Sequence, residues 1–261
     1  MEPHQVHRLG QLHTRRRRFA RPGGGSLDPP HTLPAAALAI VLPALWTGTV
    51  DCSFVYTRIN RNGLETNPVF FERAKYVADH VGLWRLAWFT WSIAAVAILY
   101  FFASFVWAHR ESLADPADAR RFALLLATVA VAADLAAEAI EIGVLPGWAQ
   151  RVVADGVTEG GDRSSANNFC ALHRTSVMLS GYLANGLYSV SAVILALGTR
   201  SRYPRWVWWS GIGVGLSGLT LSGASLLDWV GGMFWSNVFL VPLILVWLAG
   251  VGLSRSASRP C

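Results

Sequence analysis

Three acidic residues lie within one otherwise apolar stretch of the sequence, and their spacing brings them together. Asp134, Glu138 and Glu141 are the only charged residues in residues 122–146. Side chains three and four residues apart share one face of an α-helix, so we expect the three carboxyls to form a row. A carboxyl in the middle of a bilayer is costly, so this row is expected to face the interior of a bundle and to have a function.

A second apolar stretch offers polar partners for this acidic row. His173 and Arg174 directly precede residues 175–199, and Asn185 and Tyr188 lie within them. Arg174, Asn185 and Tyr188 recur at the spacing of one helical face. If the two helices are antiparallel, His173 and Arg174 lie level with the last acid of the row, and Asn185 lies level with the first.

Helical periodicity and chain topology place several other polar residues near the acidic row. Asp51 and Asp228 end apolar stretches and are expected at a height similar to that of the acids, with Arg85 at the same outer face. Ser176 and Ser180 do not share the face of Arg174, and we expect them to point away from it.

These residue types suit acid–base chemistry. Three carboxyls in a low dielectric, with few positive charges nearby, cannot all be ionised unless a cation binds, so at least one is expected to hold a proton. A protonated acid beside an ionised one is what general acid–base catalysis or a proton relay needs. A buried ion-pair network between Arg174 and Glu138 or Glu141, which only fixes helix packing, is the alternative. The predicted catalytic residues are Glu138, Glu141, Asp134, Arg174 and His173, and the predicted substrate-binding residues are Asn185, Tyr188, Asp51 and Asp228.

Transmembrane helices are the elements expected to position these residues. Of the 261 residues, 53% are hydrophobic and only 15% are charged, which excludes disordered, coiled-coil and disulfide-rich secreted proteins. A soluble domain of this size would need more polar surface. We predict an all-α integral membrane protein, a six-transmembrane-helix bundle. The six predicted spans are residues 32–50, 86–108, 122–146, 175–199, 206–227 and 229–254.

Basic residues predict the orientation of the bundle. Residues 1–31 form a basic tail that is expected to be disordered, residues 32–254 the membrane domain, and residues 255–261 a short second tail. The positive-inside rule places both tails in the cytoplasm (N-in/C-in) and the protein in the bacterial inner membrane. The arginines that support this orientation are Arg8, Arg15, Arg16, Arg17, Arg18, Arg21, Arg110, Arg120, Arg121, Arg200, Arg202, Arg205, Arg255 and Arg259.

The connections between spans differ in character. Residues 51–85 are long enough for an interfacial helix that begins near Asn67 and Pro68. Residues 147–170 are rich in Gly, Asp, Ser and Asn and are expected to be irregular, whereas residues 228–232 are expected to form a tight turn. Tryptophans typical of interfacial belts occur at both membrane faces, namely Trp84, Trp88 and Trp91 at one and Trp206, Trp208 and Trp209 at the other.

Small residues and cysteines give two further expectations. Gly211, Gly215 and Gly218 fall in one predicted span and favour close helix packing. Cys52 and Cys170 both fall at the outer face, where they either form a disulfide bond or remain two unpaired thiols.

Three functions are compatible with these features. The first is a membrane-embedded enzyme that uses acid–base chemistry on a lipid, an isoprenoid or another apolar substrate. The second is a non-catalytic membrane subunit or assembly factor, and the third is a small proton- or cation-coupled transporter. We expect no cofactor and no metal, and the expected partners are membrane lipid and a possible homodimer or larger membrane complex, with no nucleic acid.

Overall fold

The computed structural model describes residues 70–109, 117–156 and 164–256, and these residues form helices with no β-strand among them. The all-α prediction is therefore confirmed for this part of the chain. Two π-helical segments, Ile140–Val144 and Met178–Ala184, connect α3 to α4 and α5 to α6. The helices are α1 (Phe70–Asp79), α2 (Val81–Ala108), α3 (Ala117–Ala139), α4 (Leu145–Ala154), α5 (Ser164–Val177), α6 (Asn185–Gly198), α7 (Arg205–Leu226) and α8 (Val230–Ser256).

Some predictions fall on residues outside the described ranges. They concern the first span at residues 32–50, the substrate-binding role of Asp51 and the start of the interfacial helix at Asn67. The predicted helix itself is present as α1. Cys170 is exposed and forms no disulfide bond with a described residue, and the predicted partner Cys52 lies outside the described ranges.

Four helices are long and apolar enough to cross a membrane, which supports a multi-pass membrane protein. They are Val81–Trp107, Asp118–Ala154, Ser164–Gly198 and Gly231–Ser254. The predicted count of six is not confirmed. The predicted fifth span is present as the 22-residue helix α7, but its many glycines and serines make it less apolar than the other four.

The prediction of an irregular segment over residues 147–170 is wrong for most of its length. Helix α4 continues to Ala154, and α5 begins at Ser164. The reason is packing, because Leu145, Ala149 and Val152 recur at helical spacing and are completely buried against α1 and α5. This tertiary contact outweighs the weak helix propensity of the Gly- and Asn-rich sequence.

An aromatic cluster fixes α2 against α8 in the main core. Phe101, Phe102 and Phe105 surround Trp247, with ring centroids 5.3, 6.4 and 5.9 Å from the Trp247 ring. Edge-to-face and tilted contacts of this kind add to the packing energy of the rings. On the opposite side of α2, Leu86, Phe89 and Ile93 are exposed, as expected for a helix whose outer face contacts lipid.

Glycines allow α7 to approach α6 closely, as the sequence predicts. A Cβ atom at Gly215 would lie 3.1 Å from the Ser189 carbonyl oxygen and closer still to a methyl group of Val193. A Cβ atom at Gly218 would collide with the Ser189 hydroxyl. Small residues at such positions let helix backbones pack within van der Waals contact in a membrane.

Replacement of Gly215 by alanine is expected to destabilise the bundle. The added methyl group overpacks the α6–α7 contact, which costs about 1–3 kcal/mol. The matched control is Gly223→Ala in the same helix, because a Cβ atom there meets nothing within 4 Å. Thermal unfolding in detergent, followed by circular dichroism, should show a lower midpoint for Gly215→Ala alone. Equal midpoints for the two variants would contradict this account of the contact.

Candidate functional site

The three acids of the predicted row are buried in the bundle. Their exposed fractions are 5% for Asp134, 1% for Glu138 and 0% for Glu141. Asp134 and Glu138 belong to α3, and Glu141 belongs to the π-helical segment that follows it. The spacing of the acids therefore brings all three carboxyls to the interior, as expected.

A proline explains the helix geometry at Glu141. Pro146 has no N–H, so carbonyls in the preceding turn lack their usual donor, and the helix widens into a π-helical segment there. Two side chains of α2 supply the missing donors. Trp84 Nε1 donates to the carbonyl of Glu141, and Arg85 Nε donates to the carbonyl of Ile142, each over 3.1 Å. These contacts fix the backbone from which the Glu141 side chain projects.

Glu141 has a histidine partner on α5. His173 Nδ1 lies 3.2 Å from Glu141 Oε1, and both side chains are buried. The contact is an ion pair when the imidazole is protonated and a neutral hydrogen bond otherwise. The second carboxyl oxygen of Glu141 has no hydrogen-bond partner among the described residues.

Asp134 pairs with Ser180, which was expected not to share the face of Arg174. The Ser180 hydroxyl donates to Asp134 Oδ1 over 2.5 Å, so the serine that lies off the face of Arg174 is the one that meets the acidic row. Ser180 lies in the π-helical segment Met178–Ala184, where the wider turns change the direction of the side chains. Asn185 closes this segment by donating to the Ser180 carbonyl over 2.9 Å.

Ser176 also contacts α3. Its hydroxyl is buried and lies 3.4 Å from the carbonyl of Ala137. The face of α5 that meets the acidic helix is therefore the face of His173 and Ser176, and Arg174 lies on a different one.

Arg174 contacts the end of α7 and does not pair with an acid of α3, so the predicted ion pair with Glu138 or Glu141 is wrong. Arg174 Nη1 donates to Asp228 Oδ1 and, over 3.0 Å, to the Ser225 carbonyl. Arg174 Nη2 donates to the Leu226 carbonyl over 3.2 Å. A cation at a helix C-terminus satisfies carbonyls that have no intrahelical donor and interacts favourably with the helix dipole.

The turn after α7 places Asp228 beside this arginine. Asp228 adopts a positive φ of 53°, a left-handed conformation that aspartate tolerates better than most residues. Trp229 N–H donates to the Ala224 carbonyl over 2.9 Å, and Asp228 N–H donates to the Ser225 carbonyl over 3.4 Å, which together form a Schellman motif. The predicted turn over residues 228–232 is shorter in the structure, because α8 begins at Val230, and it holds Asp228 at the exposed rim and away from the buried carboxyls.

Glu138 is the least satisfied member of the acidic row. Neither of its carboxyl oxygens makes a hydrogen bond within 3.5 Å in the described part of the chain, although the residue is 1% exposed, and the Ser92 hydroxyl is the neutral polar group that interacts with it. The Tyr188 hydroxyl is also buried, and Asp134 is the side chain it interacts with most directly, although the two make no hydrogen bond within 3.5 Å. The Tyr188 ring stacks on Phe102, which holds the hydroxyl in place. Buried polar groups usually have partners, so unpartnered ones often mark a functional site.

The arrangement as a whole can hold and exchange protons. One carboxyl accepts a hydrogen bond from a hydroxyl, one contacts an imidazole, and the carboxyl between them has no partner. Among residues 70–109, 117–156 and 164–256, no group of three or more His, Cys, Asp or Glu side chains is placed to hold a metal ion.

No protein-family model, curated protein sequence or solved structure matches this chain. The chemistry of the site itself is therefore the basis for a functional assignment.

Replacement of Trp84 by phenylalanine is expected to lower stability by about 1–2 kcal/mol. The substitution leaves the buried Glu141 carbonyl without its donor, and the loss of a buried hydrogen bond costs about this much. Trp88→Phe is the control, because Trp88 lies one turn later in α2 and its indole makes no hydrogen bond to a described residue. Thermal unfolding in detergent measures both effects, and equal losses in the two variants would contradict the proposed donor role.

The contact between Glu141 and His173 is expected to appear as a coupling in a double-mutant cycle. Glu141→Gln and His173→Gln should be non-additive by about 0.5–3 kcal/mol, because the two side chains touch in a buried site. Glu141→Gln combined with Ser176→Ala provides the control pair, since Ser176 is equally buried but donates to Ala137. The free energies of unfolding of the single and double variants give both couplings. Additivity in the first pair would show that the contact is energetically unimportant.

Proposed function

We propose that this protein is a membrane-embedded enzyme that uses acid–base chemistry on a lipid, an isoprenoid or another apolar substrate. The observation that carries the proposal is Glu138, a buried carboxyl whose two oxygens have no partner. An ionised carboxylate without partners is far more costly to bury than the neutral acid. Glu138 is therefore assigned as the general acid, which gives a proton to the substrate and recovers it afterwards.

Its neighbours support this assignment. Asp134 accepts a short hydrogen bond from Ser180, and it lies one helical turn before Glu138. Glu141 and His173 form a second proton-exchanging pair on the other side. A neutral acid between two such partners is a suitable arrangement for general acid–base catalysis.

An apolar substrate is favoured by what surrounds the acidic helix. Leu135 and Val144, which flank the acidic row in the sequence, are exposed apolar side chains. Gly143 faces open space, since a Cβ atom there would meet nothing within 4 Å. A molecule dissolved in the bilayer would reach this helix without crossing water.

The proposal includes six spans, both termini in the cytoplasm and a place in the bacterial inner membrane. Its support is the clustering of basic residues at one end of the bundle. Arg120 donates to the His109 carbonyl over 3.0 Å, and the Tyr203 hydroxyl lies 2.9 Å from His109 Nε2. These contacts bring the arginine-rich start of α3 and the arginine-rich α6–α7 connection to the same end, as the positive-inside rule requires.

A proton- or cation-coupled transporter is the second candidate. It is favoured by the position of two buried acids, Asp134 and Glu138, one turn apart in α3. Acidic rows of this kind also form proton paths in membrane proteins. A purely structural network would need every member of the row to be satisfied, and Glu138 is not.

Replacement of Glu138 by glutamine is expected to abolish conversion of the substrate. Purified protein would be placed in liposomes made from total bacterial membrane lipid, and mass spectrometry would follow lipid-soluble components over time. Removal of a general acid should lower the rate by about 10²–10⁴-fold. The control is Asp118→Asn, an exposed acid at the start of the same helix.

The outcomes of this experiment separate the candidates. Conversion by wild type and Asp118→Asn, but not by Glu138→Gln, would support the enzyme. Proton flux across the same liposomes that requires Glu138, without chemical conversion, would favour the transporter. Neither conversion nor flux in wild-type protein would leave a non-catalytic subunit or assembly factor as the best account.

A further inference from the structure

A basic pocket lies where α6 ends and α7 begins. Its volume is about 640 Å³. The polar wall carries Arg200, Ser201 and Arg205, and the apolar wall includes Trp209 and Leu197. The pocket shares no residue with the acidic row, so it is independent of the function proposed above.

The two arginines of this pocket have no acidic partner. Neither Arg200 nor Arg205 forms an ion pair or a side-chain hydrogen bond with any described residue. The Arg200 guanidinium instead stacks over the Trp208 ring, 4.8 Å from its centroid. Stacking uses the flat face of the guanidinium and leaves its N–H groups at the edges to donate. Two arginines with unused donors favour an anionic ligand with several oxygens, above all a phosphate.

The start of α7 adds to this preference for an anion. Pro204 precedes the helix and provides no side-chain hydrogen bond to its first turn. The first N–H groups of this 22-residue helix therefore have no side-chain cap, and they carry the positive end of the helix dipole. Arg205, the first residue of the helix, lies at the same place.

The apolar wall identifies the kind of molecule that carries the phosphate. Trp209 is 59% exposed and Leu197 is 54% exposed, although they adjoin two charged side chains. Exposed tryptophan beside arginine is typical of the headgroup level of a bilayer, where one side of a pocket meets hydrocarbon and the other meets water. An amphiphilic ligand can contact both the polar and the apolar wall, whereas a soluble phosphate compound can contact only the polar one.

We propose that this pocket binds the phosphate headgroup of an anionic phospholipid, with Arg200 and Arg205 as donors and its acyl chains against Trp209 and Leu197. The lipid would link the ends of α6 and α7 at the membrane surface. The same phosphate chemistry could come from a soluble compound, and the experiment distinguishes the two sources.

The test is native mass spectrometry of the purified full chain in detergent. Wild-type protein would be titrated separately with phosphatidylglycerol, phosphatidylcholine and inorganic pyrophosphate. We expect phosphatidylglycerol to bind at least tenfold more tightly than phosphatidylcholine. Arg200→Gln with Arg205→Gln should raise the Kd for phosphatidylglycerol at least tenfold. The single variant Arg205→Gln should show part of this loss. Because Arg205 is exposed, this variant keeps the test possible if the double variant does not fold.

A matched control is available elsewhere in the chain. Arg151 also stacks on a tryptophan, 4.7 Å from the Trp148 ring, but it lies at the end of α4 and outside the pocket. Arg151→Gln should leave phosphatidylglycerol binding unchanged. Equal binding of the two lipids, or equal losses in Arg205→Gln and Arg151→Gln, would overturn the proposal. Arginine-dependent binding of pyrophosphate without binding of phosphatidylglycerol would also overturn it and would assign the pocket to a soluble phosphate compound.

Discussion

A backbone carbonyl cannot remain without a donor inside a membrane protein, and this constraint shapes the whole site. Pro146 removes one donor from the longest helix of the described structure. The helix widens into a π-helical segment before the proline. Trp84 and Arg85 of α2 donate hydrogen bonds to carbonyls of that segment. These hydrogen bonds fix the position of Glu141, and the contact of Glu141 with His173 depends on that position.

The two helices that carry the buried polar residues share one departure from regular α-helix. Each contains a π-helical segment at the point where it presents a polar side chain to the other, Glu141 in one case and Ser180 in the other. Segments of this kind are frequent at functional sites. The acid between them, Glu138, comes from regular α-helix and is the one left without a partner. The π-helical segments thus carry Glu141 and Ser180, each of which has a partner across the bundle, and the chemistry is assigned to Glu138.

Sequence periodicity predicted the helices and the burial of the three acids, because an acid in an apolar span must face inward. It failed in deciding which face meets the acids, because Ser176 and Ser180 contact α3 where the face of Arg174 was expected to. It also failed for Arg174, whose partners are carbonyls at the end of α7, because such acceptors carry no sequence signal. The helical structure around Ala149 depends on contact with α1, which local composition does not encode.

The helix Asp118–Ala154 has 37 residues and is about 55 Å long at about 1.5 Å per residue. A hydrocarbon core of about 30 Å cannot enclose it, so the helix must tilt or extend beyond the membrane. Glu141 lies closer to the α4 end of this helix than to its start. The thickness of the surrounding bilayer therefore sets how far the site lies from the lipid headgroups.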